Sequence, residues 1–183
     1  MSTKKTEYDH AQEILPGIFL GNVIAANDVM FLLTNKITHI LDIGKNTPLS
    51  KRYLNLIYHD VDVHDTIDEP ISEHFDTLIV WIHNSSQPPN KCLVHCAMGI
   101  SRSVTIMCAY LIQKFKISYE TAIKKIQDIR ENAKPNIGFQ KQLQTFATSL
   151  GIVHQEQQQE KKEEPQHERK NVIDIDLECF QWL

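Results

Sequence analysis

Short apolar segments along the chain predict its strands. Three of them are ITHILDIG at 37–44, NLIYHDVDV at 55–63 and KCLVH at 91–95. Each is rich in β-branched or aliphatic residues and is bounded by polar or turn residues, which is typical of a buried strand. A fourth apolar run, ILPGIFLGN, contains glycines at 17 and 21 and is interpreted as a short segment with turns.

Helices are predicted where apolar residues recur at intervals of three and four. Ser72 opens SEHFDTLIVWIHNS, which has Phe75 and Ile82 on one such face. Ser118 caps YETAIKKIQDIREN, and a last helix follows KPNIG. Two more helical segments are VMFLLTN, after the cap Asn27–Asp28, and the mostly apolar SVTIMCAYLIQKF. Strands that alternate with helices predict a layered α/β domain.

The composition changes after residue 152. Residues 155–170 contain no aliphatic or aromatic side chain, and such a segment cannot bury enough apolar surface to offset its ordering entropy. We therefore predict a flexible N-terminus at 1–13, one folded domain at 14–152, a polar linker at 153–170 and an apolar C-terminal segment at 171–183.

Composition and charge narrow the class of protein. The chain has 183 residues and 42% apolar content, which suits one domain with a single core. Its 19 Lys and Arg against 23 Asp and Glu give a net charge of −4, so neither nucleic acid nor a membrane surface is an expected partner. The sequence shows no membrane-spanning run and no hydrophobic signal segment. We expect an intracellular protein, cytoplasmic, with nuclear entry left open.

One of the four cysteines stands among residues that can make its thiol reactive. The four cysteines follow no repeated spacing, so reduced thiols are expected. Between an apolar strand and an apolar helix stand His95, Cys96, Gly99, Arg102 and Ser103. The intervening backbone N–H groups can point inward at the helix N-terminus and hold an anion. In such a place Cys96 is expected to be a thiolate at neutral pH, and Arg102 offers two parallel donors to a tetrahedral dianion.

The stretch HCAMGISRS, from His95 to Ser103, resembles the signature of cysteine-dependent protein phosphatases, His-Cys-five residues-Arg-Ser/Thr. It is most similar to their dual-specificity branch, and the resemblance covers residues 14–150. What it implies is a protein tyrosine phosphatase-like α/β fold, in which a central, mostly parallel sheet is flanked by helices. The phosphate site is then expected where the strand meets the loop and the helix.

The resemblance extends beyond the loop. Asp65 stands ten residues before Phe75, similar to the general-acid loop of that branch and the helix after it. Pro70 departs from the pattern, since Asn or Asp is usual there. The later helix and the closing segment of the branch are matched by Ala109-Tyr110-Leu111, Pro135-Asn136 and Gly138-Phe139.

These residues support a two-step hydrolysis of a phosphate monoester. Cys96 attacks phosphorus to form a phosphocysteine, Arg102 holds the phosphoryl oxygens, and Asp65 protonates the leaving oxygen. Asp65 then acts as the base for water, and the resemblance assigns Ser103 as a donor to the departing sulfur. No metal or other cofactor is required. The predicted phosphate-binding residues are Ala97, Met98, Gly99, Ile100, Ser101 and Arg102.

Two residues are interpreted as supports of the loop. His95 is expected to order the loop and not to act as a base. Asn136 is either a turn residue after a proline or a side chain that braces the catalytic loop, and the sequence leaves both open. A zinc site formed with Cys92 and Cys96 is disfavoured, because on a strand His95 faces away from both cysteines.

Some alternatives remain at this point. Three other aspartates near Asp65 are alternative candidates for the general acid, namely Asp60, Asp62 and Asp68. The main hypothesis is hydrolysis of phosphotyrosine and of phosphoserine or phosphothreonine in proteins, with phosphoproteins as partners, because the loop carries neutral side chains at its variable positions. The alternatives are a catalytically weak phosphate-binding adaptor and a phosphatase of a non-protein phosphate.

The C-terminal segment allows two interpretations. Arg169-Lys170 precede spaced aliphatic residues from Val172 to Leu177, a pattern that resembles the docking motifs recognised by mitogen-activated protein kinases. Alternatively, the segment folds back and covers the domain with Phe180 and Trp182.

Overall fold

A computed structural model describes residues 10–45, 53 and 55–152. The predicted linker at 153–170 and C-terminal segment at 171–183 lie outside the described residues. The strands are β1 Ala11–Leu15, β2 Ile18–Asn22, β3 His39–Ile43, β4 Ile57–Val61 and β5 Cys92–Cys96. The helices are α1 Val23–Asn27, α2 Val29–Thr34, α3 Phe75–Ser85, α4 Arg102–Phe115, α5 Tyr119–Gln127 and α6 Ile137–Ser149, with a 3₁₀ turn at Ile71–His74.

The five strands form one sheet in the order β1-β2-β5-β3-β4. β1 pairs with β2 in antiparallel fashion, and the other three pairings are parallel. The predicted mostly parallel sheet is thereby confirmed. β5 lies in the middle, between β2 and β3. Because ligands of parallel sheets bind beyond the carboxyl ends of the strands, the segment after β5 stands at the centre of the binding edge.

Helices cover both faces of the sheet. Val94 of β5 belongs to the core that includes Phe75 of α3, whereas Leu93 packs on the other side with Leu32 of α2. Side chains of a strand alternate between the two faces, so Cys96 shares the face of Val94. The nucleophile candidate thus lies under the layer that contains α3 to α6.

Helix α4 is the central element of that layer. It is buried from Ser103 to Ile112 and packs against α3, α5 and α6, as expected of a helix that is apolar on all sides. Its first turn begins at Arg102, so the packing of the helix fixes the position of that residue. No helix in the described ranges is long and apolar enough to cross a membrane.

The N-terminal region differs from the prediction. Strand β1 begins at Ala11, within the segment 1–13 that the composition predicts to be flexible. Its sequence AQEIL is held by backbone pairing with β2 across a turn at Pro16–Gly17, and composition does not reveal such pairing. Helix α1 was not predicted either; it begins after Asn22, whose Oδ1 accepts hydrogen bonds from the N–H groups of Ile24 and Ala25.

Gly21, which the sequence predicts to lie in a turn, belongs to strand β2. The remaining elements follow the predicted pattern, with shifted ends. The strands at 37–44, 55–63 and 91–95 are present as β3, β4 and β5. The helix predicted from Ser72 begins instead as a 3₁₀ turn at Ile71–His74 and becomes α-helical at Phe75. The predicted caps Asp28 and Ser118 accept hydrogen bonds from backbone N–H groups of α2 and α5.

Candidate active site

The Cys96 sulfur lies at the end of β5, directly before the loop to α4. Its Sγ accepts a hydrogen bond from the Gly99 N–H at 3.2 Å and lies 3.2 Å from the Ser103 Oγ. The residue is 1% exposed. Hydrogen-bond donors and a helix N-terminus stabilise negative charge that develops near them, so this geometry suits a sulfur nucleophile.

The phosphate loop, defined as residues 97–101, lies directly on the backbone of β2. Gly99 has φ +68°, and a Cβ there would come within 2.5 Å of the Gly21 carbonyl oxygen. Only glycine fits both the conformation and the space. On the same side of the loop, the Val23 N–H donates to the Ala97 carbonyl at 3.3 Å. The loop is therefore held against the first strands of the sheet.

Arg102, the first residue of α4, points toward the segment that follows β4. Its Nη1 donates to the Val63 carbonyl at 3.2 Å, and its Nε lies 3.8 Å from Asp65 Oδ2. The buried Nε has no hydrogen-bond partner among the described residues. A buried guanidinium N–H of this kind is suited to an oxygen of a bound anion.

Asp65 is hydrogen-bonded to the phosphate loop. Its Oδ1 accepts from Ser101 Oγ at 2.8 Å and from Asn136 Nδ2 at 2.9 Å, while its side chain is 36% exposed. The competing carboxylate Asp62 instead pairs with Lys45 at 2.8 Å on an exposed surface. Of these two carboxylates, Asp65 is the one in contact with the phosphate loop.

Asn136, which the sequence leaves open as a turn residue or as a brace of the catalytic loop, caps α6 and contacts both Asp65 and the phosphate loop. Its Oδ1 accepts from the Phe139 N–H and caps α6, while its Nδ2 donates to Asp65 and to the Thr66 carbonyl. Its backbone N–H donates to Ser101 Oγ at 3.1 Å. The side chain therefore holds the acid loop, and the backbone holds the phosphate loop.

The acid loop, defined as residues 63–70, also rests on the first turn of α6. A Cβ on Gly138 would overlap the carbonyl oxygen of Ile67. The close approach of the two backbones requires glycine at this position. It places the acid loop on a helix that packs against α4.

His95 lies beneath the loop in a fully buried pair. Its Nε2 is 3.8 Å from Asp42 Oδ2, and both residues are 0% exposed. The two residues are register partners on the adjacent strands β5 and β3. A buried polar pair of this type restrains the orientation of both side chains, in agreement with a supporting role for His95.

The family model of the dual specificity phosphatase catalytic domain matches residues 18–149. The chain belongs to the dual specificity phosphatase family. The predicted family and the predicted protein phosphatase activity are thereby confirmed, and a cysteine-based mechanism is a general property of this family.

Named relatives and solved structures agree with this assignment. Dual specificity protein phosphatase 26 of Mus musculus is 41% identical over 146 residues, covering 77% of this chain and 69% of that protein. Dual specificity protein phosphatase 15 of Mus musculus is 39% identical over 135 residues, covering 73% of this chain and 56% of that protein. The crystal structure of DUSP15 is similar with a TM-score of 0.73 and 34% identity, covering 84% of this chain and 96% of that chain. The crystal structure of human tyrosine phosphatase-like serine/threonine/tyrosine-interacting protein is similar with a TM-score of 0.70 and 33% identity, covering 78% of this chain and 98% of that chain.

The other described cysteines of this phosphatase have a different environment. Burial raises the pKa of Cys92 to about 12, and it also raises the pKa of Cys108. Both thiols stay protonated at neutral pH and are poor nucleophiles. The described ranges contain no group of three or more His, Cys, Asp or Glu side chains that could hold a metal ion.

Sequence reasoning missed one residue of this phosphatase site. Arg130 lies in the turn after α5, and its guanidinium contacts the carbonyls of the phosphate loop. The sequence places it in a charged stretch behind Lys124 and Lys125, and no local pattern separates it from those exposed lysines. Ser101 was predicted only as a phosphate-binding residue, and its hydrogen bond to Asp65 was missed.

Asn136→Asp tests whether Asn136 positions the acid. Aspartate caps a helix as well as asparagine does, but it places a carboxylate where a donor faced Asp65. We expect turnover of a phosphoserine peptide to fall by roughly ten- to a hundredfold, with a nearly unchanged melting temperature. The control is Ser118→Asp, the same addition of charge at the cap of α5. Equal turnover of Asn136→Asp and wild type would contradict the assignment.

Proposed function

We propose that this chain hydrolyses phosphotyrosine and phosphoserine or phosphothreonine in proteins through a phosphocysteine formed on Cys96. The observation that carries the proposal is the position of one sulfur. Cys96 Sγ lies at the base of a loop whose Gly99 N–H and Ser103 hydroxyl contact it, and Ser101 of the same loop is hydrogen-bonded to Asp65. Nucleophile, anion site and acid thus form one connected unit.

The first step transfers the phosphoryl group to sulfur. Cys96 Sγ forms a bond to phosphorus as the bond from phosphorus to the ester oxygen breaks. Backbone N–H groups of the phosphate loop and the guanidinium of Arg102 bind the equatorial oxygens. Asp65 gives its proton to the leaving oxygen, so the released side chain departs as a neutral alcohol or phenol.

The second step returns the enzyme to its starting state. Asp65 is now ionised, and its exposed part can accept a proton from water that attacks phosphorus. The sulfur–phosphorus bond breaks and inorganic phosphate leaves. Ser103, with its Oγ 3.2 Å from Sγ, donates a hydrogen bond to the sulfur as it regains its charge. His95 and Asn136 act by holding the loop and the acid in place.

The surface near the site favours a protein substrate. The phosphate loop carries Ala97, Met98 and Ile100 at its variable positions, and the Met98 side chain is 66% exposed. Additional phosphates on a ligand would be matched by cations, whereas apolar groups here suit an aromatic ring or an aliphatic side chain. Ile67 of the acid loop and Ile137 of α6 are also exposed. These features support a single phosphate on a protein side chain.

Replacement of the nucleophile tests the mechanism directly. Cys96→Ser should abolish turnover and retain binding of inorganic phosphate, because a serine hydroxyl stays protonated where the sulfur is ionised. The matched control is Cys92→Ala, which removes a thiol four residues earlier on the same strand and should retain turnover. Arg102→Lys should also lose most activity, since an ammonium replaces a planar pair of donors. Substantial turnover by Cys96→Ser would rule out this nucleophile.

The role of Asp65 is tested by a contrast between two substrates. Asp65→Asn should slow hydrolysis of a phosphoserine peptide by roughly 10²- to 10⁴-fold. The same variant should slow hydrolysis of an aryl phosphate with a good leaving group far less, because the leaving oxygen of that substrate departs without protonation. Asp62→Asn, which alters an exposed carboxylate paired with Lys45, is the control and should affect neither substrate. Equal losses of Asp65→Asn on both substrates would show that the acid lies elsewhere.

Mitogen-activated protein kinases are the partners that we propose. The support is the sequence alone, namely the basic pair Arg169-Lys170 followed by spaced aliphatic residues from Val172 to Leu177. Docking motifs of this kind bind in extended form. In the alternative, Phe180 and Trp182 cover the domain and stabilise it.

Charge reversal in the intact chain separates these two roles. Arg169→Glu with Lys170→Glu should lower dephosphorylation of a phosphorylated kinase by roughly three- to tenfold and leave hydrolysis of a small aryl phosphate unchanged. Lys161→Glu with Lys162→Glu changes the same charge in the predicted linker and is the control. Equal losses for both pairs would argue against specific docking. For the covering role, the matched test is Phe180→Ala with Trp182→Ala, which should lower the melting temperature.

A further inference from the structure

Arg130 is a buried arginine that lies next to the phosphate loop. It is 5% exposed and follows α5 in the turn that leads to α6. Its Nε donates to the Gly99 carbonyl at 2.7 Å and its Nη2 to the Met98 carbonyl at 3.4 Å. Its Nη1 donates to Gln12 Oε1 of β1 at 2.6 Å. The guanidinium thus joins the loop to an edge strand.

The hydrogen bonds from Arg130 fix the orientation of two peptide groups in the phosphate loop. In a planar trans peptide the C=O and the following N–H point in opposite directions. The peptide between Met98 and Gly99 shows this arrangement, since its oxygen accepts from Arg130 and its N–H donates to Cys96 Sγ at 3.2 Å. The carbonyl oxygen of the next peptide, Gly99, also accepts from Arg130, so the N–H of Ile100 is directed away from Arg130.

A third peptide continues the pattern by another route. The Ile100 carbonyl accepts from the Lys134 backbone N–H at 2.8 Å, which turns the N–H of Ser101 in the same sense. Three successive carbonyls are therefore held by residues of the turn between α5 and α6. A carbonyl that rotated inward would present a negative oxygen to a thiolate and to phosphate.

We propose that Arg130 is a positioning residue of the phosphatase: it holds the Met98 and Gly99 carbonyls outward so that the N–H groups of Gly99 and Ile100 stay directed at the Cys96 sulfur and at bound phosphate. This inference rests on the proposed role of Cys96 as the nucleophile. Arg130 is distinct from Arg102, which lies at the start of α4 and near Asp65.

Both the charge and the planar shape of the Arg130 side chain contribute to this role. A planar guanidinium can donate to two successive carbonyls and to Gln12 at once, and an ammonium lacks that fixed geometry. Burial lowers the pKa of Arg130, and the charge of the nearby Cys96 raises it. A buried cation is costly unless its N–H groups are hydrogen-bonded, and here the loop and β1 supply acceptors. Its field also favours a negative charge on the sulfur.

The test uses the full chain and an assay that does not depend on turnover. Iodoacetamide alkylation of Cys96 is measured by mass spectrometry as a function of pH, and then at fixed pH as a function of inorganic phosphate, which protects the sulfur. The variants are Arg130→Met, Arg130→Lys and, as a control, Lys125→Met, which removes an exposed cation of α5. Melting temperature and the kcat and KM for an aryl phosphate are measured for each.

For Arg130→Met we expect the phosphate concentration that halves alkylation to rise by roughly tenfold or more. The pH of half-maximal alkylation should move upward by roughly half a unit to one unit. Arg130→Lys keeps the charge and should show a smaller pH shift with phosphate protection weakened by roughly three- to tenfold. Lys125→Met should match wild type in both measurements.

The proposal is overturned if phosphate protection and the pH midpoint of the Arg130 variants equal those of wild type, even when the melting temperature falls. That result would make Arg130 a purely structural residue. If Arg130→Met does not fold, phosphate protection in Arg130→Lys decides the question. Failure of the proposed function is distinguishable, because it would appear as activity retained by Cys96→Ser, while alkylation would still report on the loop.

Discussion

The rest of the site depends on the groups that surround the Cys96 sulfur, because the residue is 1% exposed and water hardly reaches it. A buried anion loses hydration that only nearby donors and cations replace. The Gly99 N–H donates to the sulfur, and the Ser103 hydroxyl oxygen lies 3.2 Å from it. The surrounding elements fix the orientation of both groups. Strand β2 supports one side of the phosphate loop, the turn before α6 binds the carbonyl groups of the loop, and the buried helix α4 fixes Ser103.

The same loop determines where the acid stands. Ser101 donates to Asp65 and accepts from the backbone of Asn136, while the Asn136 side chain donates to Asp65. Three segments that are distant in the sequence, after β4, before α4 and before α6, thus meet at one hydroxyl group. A shift of α6 would therefore alter the distance between Asp65 and Cys96, although neither residue lies on that helix.

The local parts of this arrangement are predictable from sequence. The strand, loop and helix around Cys96 are encoded within a short stretch by apolar runs, glycine and arginine, and they are found with small shifts at their ends. Strand β1 and the role of Arg130 are not predictable from the sequence, because both depend on pairing between remote residues. Gln12 and Arg130, for example, are 118 positions apart. The sequence leaves Asn136 open as a turn residue or a brace of the catalytic loop, because the preceding proline indicates only a turn. Its contact with Asp65 depends on a residue 71 positions away.

Glycine at position 138 brings the acid loop into backbone contact with α6, and this contact has a consequence for selectivity. A segment that is supported by a packed helix and hydrogen-bonded to the phosphate loop has little conformational entropy left to lose when a substrate arrives. Preorganisation of this kind lowers the cost of binding, but it removes induced fit as a means of rejecting wrong substrates. Discrimination between substrates then depends on exposed apolar side chains such as Ile67, Met98 and Ile137.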